Sequence, residues 1–131
     1  MTVNPLLRRR QVSELVCELP DESGQMVPFH VREMSGTELD RLEELLVDMR
    51  KAAGRANSNE GLRALLVCFT ACDPDGKRYF DEAHDLGALR DAPAHLLEPL
   101  VTAAMRANKR GAGDAEGLEK NSGGAPDGAS A

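Results

Sequence analysis

Aromatic side chains are scarce: the 131 residues include no tryptophan, one tyrosine and three phenylalanines. The core must then be aliphatic, built from Leu, Val, Ala and Met, and aromatic platforms for stacking single-stranded bases or sugars are not expected. Cysteine is equally sparse. Cys17, Cys68 and Cys72 make an odd number, which fits reduced thiols in a cytosol better than a disulfide framework. Basic charge is in deficit, with 16 Lys and Arg against 22 Asp and Glu and a net charge of -6. A general nucleic-acid binder needs a basic face to displace counterions, so that class is disfavoured. The triplet Arg8, Arg9 and Arg10 is a local exception and reads as part of a loose, solvated leader. No stretch approaches the ~18 apolar residues of a membrane span, and no signal-peptide apolar segment follows the arginines. The expectation is a soluble, intracellular protein with no membrane partner.

Catalytic signatures are missing as well. There is no G-x-S-x-G elbow, no Gly-rich phosphate loop, no C-x-x-C and no H-E-x-x-H, so neither nucleophilic catalysis nor a standard zinc site is indicated. Cys68, Cys72, His84 and His95 make only a thin case for zinc, because the two cysteines lie one helical turn apart on a helix that needs its apolar face. The expectation is a protein that is not an enzyme and carries no cofactor.

What is present centres on LRALLVCFTACDPDGKRYF, residues 62–80. Between Leu62 and Cys72 only Arg63 and Thr70 are polar, and a helix apolar nearly all round is one that other elements cover. Asp73-Pro74-Asp75-Gly76 then breaks it. That acidic turn can be laid on a calcium loop with Ala71 as position one, placing Asp73, Asp75, Gly76 and Glu82 at positions three, five, six and twelve. The match fails at Ala71, where a carboxylate is needed, and at Arg78, where an aliphatic residue is usual. A structural turn is the better reading.

Before this centre, alternation from Val12 to Leu19 predicts a strand burying Leu15, Cys17 and Leu19. Met26 to Arg32 predicts a second strand with Val27, Phe29 and Val31 inward. Pro28 within it, unable to donate to a ladder, predicts an edge strand or one paired only on its other side. Ser35 and Glu38 spell a capping box, and Met34 and Leu39 are spaced as a hydrophobic staple. Leu39, Leu42, Leu46, Met49 and Ala53 follow as an apolar stripe, Asp40, Glu43, Glu44 and Asp48 fill the opposite face, and Gly54 ends the helix. Asn57-Ser58-Asn59 offers N-caps for the core helix. Asp81 is placed to cap a small helix holding Ala83, Leu86 and Leu89, and Pro93 to open a last helix as its first residue. That helix has Leu97, Leu100, Val101, Ala104 and Met105 as its buried stripe, a Pro99 expected to bend it or delay its regular part, and a cationic end at Lys109 and Arg110 before Gly111.

The fold class expected is α+β and mostly helical: an N-terminal β-hairpin over 12–32, then about four helices, 35–53, 59–72, 81–90 and 93–110, around the central apolar one. Residues 1–11 are expected to be a flexible leader, 12–110 a single globular domain, and 111–131 a disordered Gly/Ala-rich tail, since Leu118 is its only large apolar side chain.

In RALLVCFTACDPDGKRYF, together with the strand pair ELVCELPDESGQMVPFHVREMSG, the helix TELDRLEELL, the segment APAHLLEPLVTAAMRAN and the ending GLEKNS, the chain resembles the tail assembly chaperones of long-tailed bacteriophages and prophages, the lambda-like family. The resemblance spans roughly residues 12 to 122. It implies a non-catalytic role in virion assembly in the host bacterial cytoplasm: binding the tape-measure protein, helping to recruit the tail-tube protein around it, and absence from the finished virion. It also implies a translational frameshift, for which Glu119, Lys120 and Asn121 are the candidate junction, since GAA AAA AAC contains a slippery run. The acidic face of the 35–53 helix reads first as a solvated surface, and its sharper alternative is a docking surface for a basic partner at Glu43, Glu44 and Asp48. Self-association is left open, as are two alternatives: a small acidic adaptor that mediates protein interactions, and a calcium-binding protein with a degenerate EF-hand-like loop.

Overall fold

The computed structural model describes residues 4–109. It is an α+β fold in which a three-stranded antiparallel sheet and four helices share one core. Strand β1 is Cys17–Pro20, β2 is Met26–Val31 and β3 is Ala71–Cys72. The helices are α1 (Gly36–Ala53), α2 (Leu62–Thr70), α3 (Glu82–Arg90) and α4 (Ala94–Ala107). The expected tail and the candidate frameshift residues Glu119, Lys120 and Asn121 lie outside the described residues.

Helix α2 is the hub. Every residue from Leu62 to Cys72 is buried except Arg63, which reaches out to Glu98 of α4 at 2.7 Å. Thr70, fully buried, satisfies its hydroxyl by donating to the Leu66 carbonyl at 2.6 Å, the back-bond open to a threonine inside a helix. Helices α1, α3 and α4 and strand β2 all pack on this element. It is shorter than the sequence suggests. Ala71 turns extended and, with Cys72, becomes β3, pairing with Val31 and His30. Its start also differs: Gly61, at φ 87°, is the N-cap with no side-chain hydrogen bond. Ser58 and Asn59 instead serve Arg50, which donates to the Ser58 carbonyl at 2.6 Å and to Asn59 Oδ1 at 3.3 Å.

The sheet corrects two expectations. Because β3 returns from the distant end of α2, β2 is the central strand and not an edge. Pro28 is accommodated because β3 covers only His30 and Val31; at Pro28 itself the sole neighbouring strand is β1. The first segment is also not one continuous strand. Val12 forms an isolated bridge with Arg32, Ser13 donates to the Val31 carbonyl, and Val16 donates to the Phe29 carbonyl. Between the Val12–Arg32 bridge and the Cys17–Phe29 pair, five residues on the first segment span what three span on β2, so the ladder is interrupted there. Leu15, expected inside, is 51% exposed.

Helix α1 begins with both capping-box hydrogen bonds, Glu38 N–H to Ser35 Oγ at 3.1 Å and Ser35 N–H to Glu38 Oε1 at 3.0 Å, and ends at Gly54 in the left-handed region. Asp81 caps α3, which holds Ala83, Leu86 and Leu89 as expected, with Leu89 buried and Ala83 exposed. Pro93 is the N-cap of α4 and not its first residue, and the helix runs on through Pro99 to Ala107. The end of α4 is held by an amide, and the basic residue of its last turn is Arg106. Asn108 donates through Nδ2 to the Ala104 carbonyl at 2.8 Å, while its Oδ1 accepts from Met34 N–H at 2.7 Å. Lys109 lies beyond the helix at φ 60°, and Arg110 and Gly111 are outside the described residues. No helix among the described residues is long and apolar enough to cross a membrane.

Candidate partner-binding surface

The DPDGKRYF segment serves the fold before anything else. Asp73 Oδ1 accepts the N–H groups of Asp75 and Lys77, Gly76 turns at φ 88°, and the chain doubles back so that Cys72 bridges Arg78 and Tyr79 N–H donates to the Ala71 carbonyl. Arg78 then reaches the end of α2. Its Nη2 and Nε donate to the Cys68 carbonyl at 2.9 and 3.2 Å, one of the carbonyls a helix end leaves without a partner. The guanidinium also lies 4.8 Å from the centre of the Phe69 ring and 3.1 Å from Glu82. Tyr79 stacks edge-on against Phe29 at 5.0 Å and donates its hydroxyl to the Pro28 carbonyl, which locks the turn onto the sheet.

This arrangement bears on the metal readings. Asp73 is occupied by backbone amides and Glu82 by a resident arginine, so two of the carboxylates of the candidate calcium loop are already engaged. Cys68 and Cys72 are fully buried, and burial pushes the Cys72 thiol up to about 11. His84 is exposed, with Nδ1 against the Asp81 carboxylate, and His95 is also exposed. Among the described residues no three His, Cys, Asp or Glu side chains converge as a ligand set.

The nominated acidic residues are all exposed on α1, but they do not act as one patch. Glu44 pairs with Arg41 one turn earlier. Asp48 borders a shallow depression on one flank of the helix, near Glu60 and Arg90. Glu43 lies on the other flank, at the lip of an apolar groove of about 220 Å³ between α1 and α2. Leu42, Leu46, Leu62 and Leu66 form its floor. Met34 and Met105 line it as well, and Val47, 45% exposed, shares the lip with Glu43 and Arg50. Sequence reasoning missed the groove because its walls come from residues far apart in the chain. The one local signal was Val47, an apolar residue outside the buried stripe of its helix.

The N-terminal segment, expected to be a loose leader, carries contacts that the sequence did not show. Arg8 grips Glu33 with two nitrogens, at 2.8 and 2.6 Å, and Arg10 reaches Glu38 at 2.6 Å. Gln11 N–H donates to Glu33 at 2.8 Å, and Glu33 N–H returns a bond to the Gln11 carbonyl. Bonded to Arg8 and Gln11, the Glu33 carboxyl is lowered to about 2. Two of the three arginines are therefore engaged in holding the leader against the fold.

No family model, curated protein or solved structure matches this chain.

Proposed function

We propose that the chain is a non-enzymatic tail assembly chaperone. In this reading it binds the tape-measure protein and helps recruit tail-tube subunits in the host bacterial cytoplasm, and it is not retained in the virion. The observation that carries the reading is the α1–α2 groove with Glu43 on its lip, on a helix that also exposes Glu44 and Asp48 away from the groove. An apolar groove with Glu43 on its lip fits an amphipathic helical segment with a basic residue on its polar flank, recognised through anchors spaced by three and four residues. Such a surface shields the apolar stripe of a long helical protein before its own assembly covers that stripe. The resemblance at DPDGKRYF supplies the identity of that client, and the residues at 119–121 supply the expected frameshift junction to a longer product.

Co-expression with the cognate tape-measure protein tests this. The wild-type chain is expected to keep that protein in the soluble fraction, and the combined Glu43→Lys, Glu44→Lys and Asp48→Lys variant to reduce the soluble yield. Undiminished rescue by the triple variant moves the interface elsewhere, and no rescue by the wild type removes the chaperone reading. A small acidic adaptor with a different client is the second reading, favoured by the groove's generality: nothing in an apolar trough with Glu43 on its lip requires a phage protein. A coding neighbourhood without tail genes decides for it.

A further inference from the structure

The N-terminal segment presents apolar surface that its own chain does not cover. Leu6 and Leu7 are 91% and 77% exposed. They are nonetheless held in a defined shape: Pro5–Leu7 is one 3-10 turn, capped by Asn4, whose Oδ1 accepts Leu6 N–H at 2.9 Å. The Arg8–Glu33 and Arg10–Glu38 pairs fasten the following residues to the start of α1. An apolar pair fixed outward on an anchored arm is a pre-organised contact, because much of the entropy of ordering it is lost on folding and not on binding.

We propose that Leu6 and Leu7 of this arm dock into the α1–α2 groove of a second copy of the chain. Size, charge and position each favour this occupant. The groove, at about 220 Å³, is larger than the ~150 Å³ cavity that admits benzene, so it takes a leucine side chain. Among the described residues the Arg9 side chain forms no ion pair, and neither does Glu43 on the groove lip. Leucines followed by an unpaired arginine therefore meet an apolar floor with an unpaired glutamate on its lip, while the cation of that lip, Arg50, is turned to the Ser58 carbonyl and Asn59, so Arg9 and Glu43 are complementary in sign. Position then sets the symmetry. Met34 lines both the groove and the depression beside Leu6, so arm and groove adjoin on the same molecule. Adjacent complementary patches allow a two-fold arrangement in which each copy gives its arm and receives the other's, closing at a dimer.

The inference shares the groove with the chaperone reading but not the client's identity. The test therefore uses the full chain alone, so that the failure of one leaves the other standing. Sedimentation equilibrium is expected to show a monomer–dimer equilibrium. Leu6→Ser with Leu7→Ser removes the arm's contact and Val47→Arg blocks the lip; both alter exposed positions, and each is expected to sediment as a monomer with an unchanged circular dichroism spectrum. Mixing the two variants is expected to restore a heterodimer, since one retains a groove and the other an arm. Arg9→Glu alone is expected to weaken association roughly two- to fivefold, as for an exposed ion pair, and Glu43→Arg in the same chain to recover it. A chain that stays monomeric at all concentrations, a dimer untouched by these variants, or open-ended growth with concentration overturns the proposal.

Discussion

Arg78 shows how one side chain can decide between a metal site and a structural turn. It stands where a calcium loop carries an aliphatic residue, and its charge is directed to the Cys68 carbonyl, Glu82 and the Phe69 ring. Arg78→Met, which keeps the apolar stem, is expected to lose about 1.5–3 kcal/mol, the range for hydrogen bonds to a charged group, read from the urea midpoint. Gly61 is the second decisive residue. Its φ of 87° disfavours any side chain, and a Cβ there would meet Met49 Sδ at 2.3 Å. Gly61→Ala is expected to cost at least about 1–2 kcal/mol, the left-handed penalty for an L-residue. Adding Met49→Ala is expected not to restore the wild-type midpoint, because shortening Met49 clears the clash and leaves the backbone strain.

At the scale of elements, legibility followed locality. The limits of α1 were readable because its signals sit within the element: Ser35 and Glu38 exchange their bonds and Gly54 takes the left-handed cap. Strand β3 was not readable, because Ala71 and Cys72 carry the same apolar character as the helix before them and only pairing with His30 and Val31 distinguishes them. The central place of β2 was hidden for the same reason. The contacts of the leader were not legible because their partners, Glu33 and Glu38, lie more than twenty residues away in the chain. That strap carries a pH dependence. Glu33 is lowered from 4.5 to about 2, so its contribution is complete above the unfolded value and is lost as pH falls from about 4.5 through about 2. The Gln11 amide resonance, donor to Glu33, is expected to titrate with a midpoint near 2 in NMR spectra. At neutral pH, Glu33→Gln weakens the same strap, and trypsin is expected to cut at Arg8 to Arg10 roughly tenfold faster, as loss of a charge-assisted bond implies.

For the whole molecule, the candidate surface was half legible. Charge periodicity exposed Glu43, Glu44 and Asp48, but the groove that gives Glu43 its setting is made where α1, α2 and α4 meet, and no window of sequence contains it. Its apolar floor belongs to the core while its lip faces solvent, so occupancy of the groove and stability of the fold are coupled. Whatever binds the native groove raises the melting temperature, because the unfolded chain has no groove to bind. If the occupant is the arm of a second copy, mass action makes that temperature depend on protein concentration. A tenfold rise in concentration adds about 1.4 kcal/mol per dimer, or about 0.7 per chain, and for a domain of this size it moves the melting temperature by roughly 3–5 °C. Leu6→Ser with Leu7→Ser is expected to flatten that dependence and leave the dilute-limit value unchanged, since neither leucine contributes to the buried core. Calorimetric scans of both proteins over a hundredfold concentration range make the comparison. Equal slopes would place the coupling outside the arm, and a fall in the variant's dilute-limit value would mean the leucines support their own fold.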